Sequence, residues 1–83
     1  MSKRTATADA LTSELDRLIR ERARGPYARY YHAPIPKPVP LPRRDANGCN
    51  WTVINAISLP MAAVAFLDLV VSRLMREYDL VPG

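Results

Sequence analysis

The sequence predicts a small α+β fold, an α-β-β-α module in which a two-stranded hairpin with a proline-lined edge strand is flanked by two helices and completed by a partner chain or a second copy of itself. Three observations predict it. Apolar residues recur at helical spacing in both halves of the chain, proline occupies every second position from Pro34 to Pro42, and the C-terminal half carries more apolar surface than the N-terminal half can cover.

The chain has 83 residues, enough for one domain, and folded chains of this size bury only about 60% of their unfolded surface. A staple is therefore expected. One cysteine cannot close an internal disulfide, and Cys49 with His32 cannot supply the four ligands of a structural zinc site, so no metal and no other cofactor is implied. That leaves another polypeptide as the staple. An apolar share of 48% with 24% charged residues excludes global disorder. The lone cysteine, and an N-terminus with no apolar run behind its charges, predict a cytoplasmic protein.

Residues 1–6 are small, polar and basic and are expected to form a mobile arm, with residues 7–83 as a single small domain. Thr7 can cap a helix over about 9–24: Asp9 suits the positive end of the dipole, Leu11, Leu15, Leu18 and Ile19 form an apolar stripe, and Gly25-Pro26 is a stop. Arg17, Arg20 and Arg24 give that helix a basic face able to steer an acidic partner.

Residues 34–42 must be extended, because each residue before a proline is pushed out of the helical region. In a strand, alternate residues share an edge, so the prolines remove every donor from one edge and leave those of Ile35, Lys37, Val39 and Leu41 on the other. The competing possibility is a stiff spacer rising about 3.1 Å per residue. No two prolines here are three apart, so the PxxP pattern read by signalling domains is absent. Asn47-Gly48 predicts a turn, and residues 49–58 a half-buried second strand whose Trp51, Val53 and Ile57 share a core face with Ile35, Val39 and Leu41.

A last helix is expected over about 59–78, capped by Ser58 with Pro60 in its first turn. Ala63, Phe66, Leu67, Val70, Leu74 and Tyr78 make its apolar face, and Met61, Val64, Val71 and Met75 widen it beyond what one helix and a hairpin can cover. Asp68 would sit at the rim, near Arg73 or Arg76.

From this imbalance follows a non-catalytic protein-protein interaction module, such as an accessory subunit, adaptor or small inhibitor, docking through its second strand and last helix. Trp51, Val53, Phe66, Leu67, Val70, Val71, Leu74 and Tyr78 are its expected partner-binding residues. The partner is another protein or a second copy. Nothing in the sequence brings His32 to Cys49, and there is no glycine-rich phosphate loop, metal-ligand spacing or serine elbow, so no catalytic residue is assigned.

Two rival classes remain. A basic nucleic-acid-binding protein would use Arg24, Arg29, Tyr30, Tyr31, Arg43 and Arg44, with tyrosines stacking on bases; as ordinary anchors, Tyr27, Tyr30 and Tyr31 would instead tie the first helix to the sheet. The charge behind that rival lies in residues 1–48, which hold ten Lys/Arg against five Asp/Glu, while residues 49–83 hold two against three. A membrane-associated subunit would insert residues 53–71, at a cost of about 2.5–3.5 kcal/mol for Asp68 alone.

Overall fold

The computed structural model describes residues 3–55 and 58–82. It is a mixed helix and strand protein with two small sheets, in the order β1 (Arg4–Ala6), α1 (Ala8–Arg22), a 3-10 helix (Gly25–Tyr30), β2 (Lys37–Pro40), β3 (Trp51–Ile54), α2 (Met61–Glu77) and β4 (Tyr78–Leu80).

α1 starts where its cap dictates. The Thr7 hydroxyl accepts from the Ala10 N–H at 3.2 Å, and Asp9 lies in the first turn. Leu11, Leu15, Leu18 and Ile19 are buried on its inner face. It ends at Arg22, two residues earlier than expected, because Ala23 turns into the core and Gly25 takes a positive φ of 56°. Pro26 then opens the 3-10 helix.

β2 and β3 pair antiparallel, with Lys37 opposite Ile54, Pro38 opposite Val53, Val39 opposite Thr52 and Pro40 opposite Trp51. Facing residues of an antiparallel pair project to one side, so this register corrects the expected core face. Trp51 and Val53 face Pro40 and Pro38, and Val39 faces Thr52 instead; Pro36 and Pro38 are buried, and Ile35, outside the paired stretch, packs against the core as expected. Ile57 lies outside the described residues. The connecting turn is organised by Asp45, whose Oδ1 accepts from the N–H groups of Asn47 and Cys49, both at 2.9 Å. Gly48 follows with φ 78°.

Arg4–Ala6 is not the unpaired arm its composition suggested. It forms β1, pairing in parallel with β4 in the register Arg4 to Tyr78, Thr5 to Asp79 and Ala6 to Leu80, and Val81 N–H extends the ladder to the Ala6 carbonyl at 2.9 Å. Backbone groups do the pairing, so a stretch with nothing to bury is ordered all the same. Lys3 adds a bond to the Met75 carbonyl at 2.8 Å, at the last turn of α2.

α2 begins at Met61. Pro60, not Ser58, occupies the cap position, and no side chain caps it; the Pro60 carbonyl takes the N–H groups of Ala63 and Val64. Tyr78, expected as the last helical residue, is already extended and begins β4.

The shortage of cover expected for α2 is not found on its inner side. Ala63, Phe66, Leu67, Val70, Val71 and Leu74 are all buried, and all but Ala63 form one cluster with the α1 stripe, Ala23, Cys49 and Trp51. Two elements supply what the sequence did not reveal. The rings of Tyr27 and Tyr30 close over Phe66 at centroid distances of 5.2 and 5.0 Å, and the β1–β4 pair covers the C-terminal end of the cluster with Ala6, Tyr78 and Leu80.

The Asn50 side chain joins the two sheets. Asn50 Nδ2 donates to the Leu80 carbonyl at 2.9 Å and its Oδ1 accepts from the Leu80 N–H at 2.8 Å, which is how a neighbouring strand residue would pair. Asn50→Ala should therefore leave both backbone groups unsatisfied and cost about 1–3 kcal/mol in urea unfolding. A variant as stable as the parent would show that water replaces the amide at no cost.

Candidate interaction surface

Apart from the aromatic cover over Phe66, the surface around α2 is shaped by what the core leaves out. Positions Met61, Ala62, Ala65 and Leu69 fall on one helical stripe and are all exposed, Met61 at 87% and Leu69 at 61% of their full surface. Pro26 and Tyr27 of the 3-10 helix rise along one side of this stripe, and an open groove runs between them, floored by Ala62, Ala65 and the edge of Phe66. The two alanines let whatever lies there approach the helix backbone closely. Tyr27, 40% exposed, sets its ring 5.2 Å from that of Phe66.

Charge is one-sided. Arg29 lines the groove, its guanidinium 5.1 Å from the centre of the Tyr30 ring. From Arg22 to Arg44 the chain carries six Lys/Arg and no Asp or Glu. That acid-free run was visible in the sequence but was averaged away when the chain was divided at residue 48.

The expected partner-binding residues sit elsewhere. Trp51, Phe66, Leu67, Val70, Val71 and Leu74 are buried in the chain's own core, and Val53 and Tyr78 are half-buried against it. Asn50, just before β3, is bonded through its side chain to Leu80, and the Trp51 indole Nε1–H donates to the Tyr78 carbonyl at 3.0 Å. Ile54, at the end of β3, is 57% exposed.

The basic residues divide as well. Arg17 is spent on Glu14 and Glu21 at 2.8 and 2.9 Å, and Arg20 on Asp16 at 2.8 Å while lying over the Tyr31 ring, so the expected basic face of α1 is largely neutralised. Arg24, Arg29 and Arg43 are exposed. Arg44 is not a free phosphate clamp: it forks onto both carboxylate oxygens of Asp79 at 2.9 and 3.1 Å and donates to the Gly48 carbonyl at 2.6 Å. Tyr30 stacks on Phe66, an anchoring role, and Tyr31 meets His32 edge-on at the surface. Asp68 is exposed, and Arg73 pairs with Glu77 at 3.3 Å instead.

No protein-family model, curated protein or solved structure matches this chain. The surface must speak for itself. Cys49 is 2% exposed with its thiol directed to the Trp51 carbonyl at 3.2 Å, whereas His32 is exposed, so the sequence's one thiol and one imidazole sit in different surroundings. Among the described residues no group of three His, Cys, Asp or Glu side chains is placed to hold a metal ion, and no helix is long and apolar enough to cross a membrane. Of the segment 53–71 proposed for insertion, Val53 and Ile54 are strand and α2 begins only at Met61; residues 56 and 57 lie outside the description.

The Arg44 fork holds the Asp79 carboxyl below its usual value of 3.8, partial burial opposes the shift, and the positive charges of Arg44 and Lys3 add to it. Lys3 Nζ lies 3.8 Å from the same carboxylate. A lowered folded-state value means a contribution that is present above the unfolded value and lost as pH falls through the folded one. Asp79→Asn should therefore be less stable than the parent at neutral pH, with the gap closing below the usual aspartate value in a pH series of urea unfolding curves. A gap that persists unchanged in strong acid would contradict the assignment.

Proposed function

We propose that this protein is a non-catalytic protein-protein interaction module, acting as an accessory subunit, adaptor or inhibitor by occupying a partner's surface. The observation that carries the proposal is the exposed stripe Met61-Ala62-Ala65-Leu69 beside Tyr27: large apolar side chains stay in water on a helix whose opposite face is sealed. Contiguous exposed apolar surface rimmed by charge marks interaction sites on soluble proteins. Docking moves accordingly from the inner face of α2 and the edge of β3 to the outer face of α2.

The state of β2 supports the same choice. Leu41 N–H is spent on the Asn50 carbonyl at 2.9 Å, and residues of the same parity along the strand direct their donors to the same side. Pro36, Pro38 and Pro40 then occupy an outer edge that offers no N–H to an added strand. A partner would therefore not add a strand to β2.

In extracts of the source organism, proteins retained by the parent chain should be lost with Leu69→Glu and kept with Ser13→Glu, a control on the exposed face of α1. Both substitutions lie on the surface and should change stability by no more than about 0.5 kcal/mol. Retention of the same proteins by Leu69→Glu would overturn the proposal.

A further inference from the structure

Resting on that assignment of the docking face, we infer that the groove between the 3-10 helix and α2 receives an amphipathic helical segment of another protein, with apolar anchors toward the groove and acidic residues along one flank. The shape asks for apolar anchors. Its floor is Ala62, Ala65 and Phe66, its wall Tyr27, its open end Leu69, and none of these offers a charge. Leu69 and Ala62 stand seven residues apart and Ala65 lies between them, so the floor is a helical row about two turns long, matched by side chains at i, i+3 or i+4, and i+7 of a bound helix. An extended peptide fits less well, since a strand places its side chains on alternating faces and finds no donors or acceptors on the outer surface of a helix.

Charge fixes the rest of the partner's chemistry. The wall beyond Tyr27 carries Arg29, and Arg24 precedes it at the start of the same 3-10 helix. No carboxylate in the run from Arg22 to Arg44 competes for them. Arg29 rests on the Tyr30 ring, which holds its stem while leaving its donors free to turn to a carboxylate, and no ion pair is formed by either arginine among the described residues. Asp68, the acidic residue at the middle of α2, is not part of the groove lining. A second copy of this chain is a poorer occupant in the antiparallel arrangement. That symmetry brings the same flank of each copy together, Arg29 beside Arg29. Nucleic acid would use the same arginines but gains nothing from an alanine-floored apolar trough.

The test uses the whole chain and two fluorescent peptides about 15 residues long, with leucine at i, i+3, i+4 and i+7 and either glutamate or lysine on the flanks. Anisotropy titration should show binding of the glutamate peptide at least about tenfold tighter than of the lysine peptide. Leu69→Glu should abolish binding, whereas Arg29→Glu should weaken the glutamate peptide and strengthen the lysine peptide; circular dichroism confirms that both variants stay folded. Equal binding of both peptides, lost with Leu69→Glu but unmoved by Arg29→Glu, would overturn the acidic partner while leaving the docking face standing. Binding that ignores Leu69→Glu would overturn both. A labelled oligothymidylate bound in preference to either peptide, with affinity falling steeply as salt rises, would replace the inference with a nucleic-acid site. Sedimentation showing a dimer dispersed by Leu69→Glu would assign the groove to a second copy.

Discussion

The burial of Trp51 is the constraint on which the rest of this structure depends. An indole is the largest side chain the chain has to hide, and its N–H must find an acceptor when it is removed from water. Both demands are met at one place: the ring is 0% exposed among the cluster of α1 and α2 side chains, and its nitrogen donates to the Tyr78 carbonyl where α2 gives way to β4. That bond fixes the end of α2 against β3. Asn50, one residue earlier, then reaches Leu80, and β4 so placed offers its other side to β1. Two short sheets, each too small to be stable alone, become covers for one core.

Much of this was legible beforehand. Thr7, the leucine stripe of α1, the Asn47-Gly48 turn and the inner face of α2 each carry a local signal, in capping, periodicity or positive φ, that tertiary structure had no cause to override. β1 and β4 carry none. Each is three residues long, and their pairing depends on bringing Arg4 beside Tyr78, a contact between distant parts of the chain that no window can reveal. The register of β2 was missed for a related reason. Hydropathy favours Val39 and Leu41 as core residues, but the pairing sets Pro38 and Pro40 opposite Val53 and Trp51 and leaves Val39 opposite Thr52.

The candidate surface was hidden by the same gap. Counting apolar residues on α2 showed that cover was needed, but only the placement of Tyr27, Tyr30, β1 and β4 shows which of them are covered. The residues expected to meet a partner are those that meet the chain itself, and Met61 and Leu69 are among those left exposed. Arg44 illustrates the converse. Its composition suggests a phosphate contact, yet the fork onto Asp79 ties the β2–β3 turn to β4, next to the point where Lys3 anchors the N-terminus.

The core closes within one chain: Trp51 and the inner faces of α1 and α2 are buried without a second polypeptide. Equilibrium thermal unfolding followed by Trp51 fluorescence, over a roughly hundredfold range of protein concentration, tests this most directly. A single cooperative transition with a midpoint independent of concentration is the expected result. A midpoint that climbs with concentration, as it does for chains folded only as oligomers, would contradict the account.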